Sequence, residues 1–268
     1  MKKINYFLFF ILLAANIFAQ NKPQMNVKTN DNKTTQFNLE DITDITFSTK
    51  QFQTFYDGFD VNISNWTLYG SPLPLYVASI YSRSGIFDNK GDASYGSGGI
   101  SKTLVGNGTE MTIETEVYID VTNSSGCWVG AAVGLSKTQN PTPTSYDAEW
   151  GLSFSLDYSG SACWGDSVIY QKHGWFGIGL FAEDGSSEYP NWNRAPFLNA
   201  DSQMNGWHVL KIEIASDRYV SFYCDNNLVW KSTKRINQDI ITNKNVLLGW
   251  RSSGSAGKAY HDWVKVLY

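Results

Sequence analysis

A chain of 268 residues with 42% apolar and 15% aromatic side chains can bury the core of one large domain or two small ones, which excludes a disordered polypeptide. Its 21 basic and 25 acidic residues give a net charge of −4. Removal of Lys2 and Lys3 with the first 19 residues would leave 19 basic residues and a charge of −6, a balance that argues against nucleic acid or another polyanion as partner, because binding those requires clustered cations.

Residues 1–19 read as a secretory signal peptide: Lys2 and Lys3, an apolar run too short to span a bilayer comfortably, and Ala19 as the small residue before cleavage. Ile17 departs from the small residue expected two places earlier. No cysteine follows directly, so no lipid anchor is indicated, and the expected location is secreted or cell-surface.

Residues 20–53 read as a small N-terminal unit and linker. Segments 25–29 and 34–39 flank the turn residues 30–33, and 41–47 adds a short strand or turn, a hairpin too small to be stable alone. From residue 54 onward strand-like segments follow one another at 75–81, 97–103, 110–120, 128–135, 149–156, 168–171 and 175–181, with no helical period. Pro72, Pro74, Pro141, Pro143, Pro190 and Pro196 fall between them, where proline is tolerated. After Trp207, the residues Leu210, Ile212 and Ile214 alternate with Lys211 and Glu213, the two-residue period of a half-buried strand. A further strand at 219–224 reaches Asp225-Asn226-Asn227, which tolerates positive φ, and 228–230, 246–250 and 260–268 complete the set.

This ending resembles the concanavalin A-like lectin/glucanase and laminin-G-like sandwiches, in the order W-x-x-l-x-i, v-x-f-y-x-d-g-x-l, lG-x-r-s, D-x-v-x-V. The resemblance implies an all-β fold, a concanavalin A-like jelly-roll sandwich of two antiparallel sheets over residues 54–268, preceded by the small hairpin unit. The N-terminal segment in turn resembles the leading v-x-t-x-d-g-x-x-x-x-f-x-l-x-d-I-d-x-I-t-F stretch of many secreted proteins of Bacteroidota-like bacteria.

Cys127, Cys163 and Cys224 are an odd set, so at most one intramolecular disulfide can form. Cys127 with Cys163 is the expected pair, both being Trp-flanked in Gly/Ser-rich text, with three unpaired thiols as the alternative; Cys224, mid-strand, reads as a buried thiol. The absence of C-x-x-C and H-x-x-x-H spacings argues against a metal held by cysteine or histidine.

Glucanases of the resembled superfamily carry their acids as E-aliphatic-D-x-x-E, and that motif is missing. The nearest text, Glu114-Thr-Glu116, is followed on its face by Tyr118 and Asp120 and resembles a laminin-G-like strand with solvated acids. Tyr170-Gln-Lys-His173 places Gln171 and His173 on one strand face, as in the Q-x-H pair of alginate-lyase-like jelly rolls, where a base stands beside a group that stabilises the enolate-like intermediate. The accompanying R-x-E-x-R and Y-F-K-x-G-x-Y-x-Q strands are absent. A glycoside hydrolase would draw its acids from Glu149, Asp157 and Glu183.

The aromatics carry the expected function. Trp164, Trp175, Tyr189 and Trp192, with Trp150, cluster mid-chain, and Tyr189, Trp192, Asn193 and Arg194 fall in one loop where rings could stack on pyranose faces while polar neighbours bond the hydroxyls. Trp66, Trp207, Trp230, Trp250 and Trp263 read as core or rim. Asp57 and Asp60, with Asp262 near the end, resemble the acids that hold a structural Ca²⁺ in carbohydrate-active sandwiches. Asn32, Asn62, Asn65, Asn107 and Asn123 fit N-x-S/T and read as loop composition. The expectation is therefore a secreted module that binds an extracellular polysaccharide through exposed aromatics, the alternatives being a polysaccharide lyase or glycoside hydrolase and a protein-binding adhesion module.

Overall fold

The structure, a computed structural model, describes residues 24–28, 34–38, 52–70, 73–89, 97–105, 110–123, 129–138, 150–159, 173–190, 193–195, 197–198, 200–250 and 258–268. The chain divides into two units, Met1–Gln51 and Phe52–Tyr268. In the first, β1 (Gln24–Lys28) pairs antiparallel with β2 (Thr34–Asn38), matching Met25 with Phe37 and Val27 with Thr35. The expected piece at 41–47 and the expected strand at 168–171 lie outside the described residues.

In chain order the second unit contains β3 (Thr54–Asp57), β4 (Trp66–Tyr69), β5 (Leu75–Ile80), β6 (Arg83–Asn89), β7 (Ser97–Ser101), β8 (Met111–Ile119), β9 (Val129–Ser136), β10 (Trp150–Ser159) and β11 (His173–Phe181). It continues with β12 (Ser187–Glu188), β13 (Asn193–Arg194), the helix α1 (Asp201–Met204), β14 (Trp207–Ile214), β15 (Val220–Cys224), β16 (Asn227–Lys231), the helix α2 (Gln238–Asn243), β17 (Val246–Trp250) and β18 (Ala259–Leu267). One antiparallel sheet runs β12-β11-β10-β9-β17-β7-β4 with β13 beside β11; the other runs β16-β15-β14-β8-β18-β6-β5 with β3 beside β18. The two sheets make the sandwich that the alternating strands foretold.

Period-two burial explains why the sheets face each other. Met111, Ile113, Val117 and Ile119 of β8 and Leu210, Ile212 and Ile214 of β14 turn inward, and so do Leu152, Phe154 and Leu156 of β10 and Phe176, Ile178 and Leu180 of β11. Phe154 meets Phe222 of β15 edge-on across the layers, ring centroids 5.5 Å apart. Each such side chain contributes about 1.5–3 kcal/mol of burial, which dwarfs any single surface contact.

Turn chemistry completes the path. Asp225 and Asn226 adopt φ of 50° and 64° between β15 and β16, the left-handed pair of a tight hairpin. The C-terminal edge closes on the start of the domain, where the Gln53 N–H donates to the Tyr268 carbonyl at 2.8 Å and the Tyr268 N–H donates back at 3.0 Å. Two short helices were not foreseen. The Asn237 side chain caps α2 by accepting the Asp239 N–H at 2.9 Å.

Candidate functional site

Because one side of β9, β10 and β11 is turned into the core, the alternate residues form an outer face. On β9 it is Gly130, Ala132 and Gly134; on β10, Ser153, Ser155, Asp157 and Ser159; on β11, His173, Trp175, Gly177 and Gly179. Registration sets Asp157 between Gly130 and Trp175, Ser155 between Ala132 and Gly177, and Ser153 between Gly134 and Gly179. The result is a floor of small residues, interrupted by one carboxylate and bounded by aromatic rings.

Asp157 is fully buried, and the Ser155 hydroxyl, two residues back on the same face, donates to its Oδ2 at 2.5 Å. The carboxylate overhangs Gly130, where an added β-carbon would stand 2.2 Å from Oδ1. One pair further along, the Trp175 indole N–H donates to Ser159 Oγ at 2.9 Å. Trp175 is only 5% exposed, so it is a wall of this face and not the free platform expected from its sequence surroundings.

Tyr189 is the aromatic that does stand out, at 67% exposed. Pairing of Leu180 with Glu188 carries it to the level of Gly179, and its Cε1 and Cδ1 would lie 3.0 and 3.3 Å from a β-carbon built there. Glycine therefore admits the ring onto the sheet. The segment leading to Tyr189 is fastened from both sides: Glu188 accepts from the Thr233 N–H at 3.0 Å, the Thr233 hydroxyl at 2.6 Å and the Lys234 N–H at 3.2 Å. Asp184 accepts the Ser186 N–H at 2.9 Å and the Lys234 ammonium at 3.0 Å, and those bonds, led by the Ser186 hydroxyl, hold its carboxyl below the usual range. Such fastening lowers the ordering cost of binding a ligand on the ring.

The remaining expected residues are distributed as follows. His173 opens β11, half-buried and opposite Ser159, one pair beyond Asp157 on the same face. β13 brings the backbone of Asn193 and Arg194 alongside Phe176 and Trp175. Glu183 is exposed and ion-paired with Arg218 and Arg235, so it stands apart from this face as a loop fastener. Glu149, Trp164, Tyr170, Gln171, Trp192, Cys127 and Cys163 lie outside the described residues, while Cys224 is the buried free thiol expected.

Asp57, Asp60 and Asp262, the acids named for calcium, all act on the Tyr56 hydroxyl and Asp60 acts on Asp262, while among the described residues their carboxylate oxygens do not form a set within 4.8 Å of one another. Asp57 is buried, its Oδ1 accepting the Phe59 N–H at 2.8 Å and its Oδ2 the Trp66 indole N–H at 2.9 Å, so both oxygens serve to lock the entry to β4. Asp262 lies on β18, in the same sheet as β3 and its Asp57, where Arg83 reaches it at 3.2 Å and reaches Glu116 at 3.0 Å. Glu116, read as solvated, also accepts the Trp263 indole N–H at 3.1 Å. Burial, then the hydrogen bond and charge of Glu116, raise the Asp262 carboxyl to about 6 in spite of Arg83. Among the described residues the group able to hold a metal ion lies elsewhere, at His208, Cys224 and Asp225, which sequence spacing did not suggest.

No family model and no curated protein matches the sequence. Solved structures are similar in fold. The T. cruzi calreticulin globular domain superposes with a TM-score of 0.53 at 14% identity, over 79% of this chain and 86% of that one. A glycoside hydrolase family 16 endo-glucanase from Bacteroides ovatus gives 0.50 at 15% identity, over 79% and 99%. The CBM2 module of the Lactobacillus casei BL23 phage J-1 evolved Dit gives 0.50 at 10% identity, over 82% and 97%.

Proposed function

We propose, on the premise that the Phe52–Tyr268 unit is a concanavalin A-like jelly-roll sandwich, that the protein binds an extracellular polysaccharide on the outer face of β9, β10 and β11. The observation that carries this reading is Tyr189, an exposed ring seated on Gly179 and fastened through Glu188. A tyrosine offers a large apolar face with few rotatable bonds, which suits stacking on a pyranose ring. Beside the ring, Ser153 and Gly177 are the partly exposed positions of the floor, and Gly179 is buried beneath Tyr189. Two proteins of similar fold bear on the choice of ligand: the Bacteroides ovatus endo-glucanase, solved in complex with G4G3G-2F-DNP, and the phage CBM2 module. In this proposal Trp164, Trp192, Asn193 and Arg194 supply further stacking and hydroxyl contacts, and the module works outside the cell, after removal of residues 1–19. The test is retardation of the purified protein in native gels cast with neutral and uronate-containing polysaccharides, repeated with Tyr189→Ala.

A second reading, an enzyme on the same face, has one observation in its favour. Asp157 and His173 belong to neighbouring strands of that face, a buried carboxylate and a half-buried imidazole one pair apart. New reducing ends or unsaturated products that vanish in His173→Ala would establish turnover and replace the binding-only reading.

A further inference from the structure

We propose that His208, Cys224 and Asp225 form a binding site for a divalent transition metal of the zinc type, at the turn end of the β14–β15 pair. One ligand atom from each, an imidazole nitrogen, the sulfur and a carboxylate oxygen, lies within 4.8 Å of the others. Tetrahedral ligands around zinc stand roughly 3.5 Å apart, so side-chain adjustment of about an ångström closes the set.

Strand pairing makes the cluster. Leu210 opposes Cys224, which leaves His208 two residues further along β14 on the same inward face, and both side chains are buried. Asp225 begins the turn, held where its N–H donates to the Val209 carbonyl at 2.9 Å, and its side chain is 37% exposed. Two protected ligands and one solvent-facing ligand give an ion both a dry seat and a way in, with water completing the shell.

The surrounding bonds orient each ligand as a metal requires. Asp225 Oδ1 accepts the Val209 N–H at 2.8 Å, which leaves Oδ2 directed at the cluster. His208 Nε2 faces the Met204 carbonyl at 3.3 Å, which leaves Nδ1 directed at Oδ2, 2.7 Å away. Both ring nitrogens thus face acceptors. A neutral imidazole has one N–H and serves only one of them, and a metal at Nδ1 would answer the carboxylate while the N–H serves the carbonyl. With the metal on Nδ1, the remaining N–H points to a backbone carbonyl, the usual outer support of a ligating histidine.

The donor set of one sulfur, one nitrogen and one carboxylate oxygen suits zinc or cobalt and not calcium or magnesium, which take oxygen alone. Binding exchanges cations: the S–H bond of Cys224 breaks, the sulfur–metal bond forms, and the proton leaves to solvent. The bound ion would tie the hairpin turn to α1 through His208 and Met204.

The test is a titration of the full reduced chain with Co²⁺, read by absorbance. The expected result is a sulfur-to-cobalt charge-transfer band that saturates near one equivalent, is bleached by Zn²⁺, and disappears in Cys224→Ser. No band, or a band that survives Cys224→Ser and so belongs to Cys127 or Cys163, overturns the proposal. Asp225→Asn, a change in a partly exposed turn, decides the matter should Cys224→Ser fail to fold: affinity at least tenfold weaker supports the site, and unchanged affinity overturns it.

Discussion

The Tyr189 ring rests on Gly179, so closely that a β-carbon on the glycine would stand 3.0 Å from Tyr189 Cε1 and 2.8 Å from Ser153 Oγ. Both contacts are to side-chain atoms, so Gly179→Ala is expected to fold and to displace the ring instead of the backbone. Stacking contacts contribute about 0.5–1.5 kcal/mol, which translates to a roughly two- to tenfold loss of polysaccharide affinity. Isothermal titration of Gly179→Ala, beside a melting curve, checks this.

Gly130→Ala tests the buried carboxylate. Its β-carbon would fall 2.2 Å from Asp157 Oδ1 and 2.7 Å from the Leu156 carbonyl, and a strand carbonyl cannot swing aside. Overpacking of this kind costs about 1–3 kcal/mol, so the melting temperature should fall by several degrees. Asp157→Ala in the same chain removes the nearest clash and should recover part of the loss in urea denaturation.

His261 sets an acid limit on stability. It is fully buried, with Nδ1 3.0 Å from the Thr115 hydroxyl, and burial lowers its affinity for a proton to a value of about 3. The unfolded chain protonates this residue near its ordinary 6.5 while the folded one does not, so stability falls as pH drops from about 6.5 toward 3. The slope from this group approaches about 1.4 kcal/mol per pH unit. Urea midpoints at pH 7 and pH 4.5 should show the decline, and His261→Phe should flatten it.

Asp262 acts in the opposite sense. Its carboxyl is raised to about 6 from an ordinary 3.8, so the folded state holds its proton longer than the unfolded state, and its contribution is lost as pH rises through that interval. Asp262→Asn keeps the shape and removes the charge that Glu116 opposes. Relative to the unmodified chain, its melting temperature should therefore rise progressively between pH 4 and pH 7, a trend that scanning fluorimetry resolves.

Strands whose two faces differ were legible from the residues. Leu210, Ile212 and Ile214 alternate with polar neighbours, and all three are buried in β14; the Asp225-Asn226 pair announced its positive φ. β6 was missed because Ile86, Phe87, Asp88 and Asn89 are all buried, leaving no alternation to read. The helices are too short for a period of 3.6 to repeat. At the site, Tyr189 is legible from its polar loop, whereas Trp175 has similar surroundings in sequence but lies within β11, buried, with its N–H on Ser159 of the neighbouring strand. The His208–Asp225 pairing spans 17 residues across a hairpin and matches no spacing motif, so only the register exposes it.

Affinity electrophoresis with the unmodified protein and Tyr189→Ala, run side by side on neutral and uronate-containing polysaccharides, tests the central claim most directly. The account predicts that at least one polymer retards the unmodified protein, remains uncleaved, and loses most of its hold on Tyr189→Ala, with the fold of the variant intact by circular dichroism. Equal retardation of the two proteins, or none on any polymer, would contradict it.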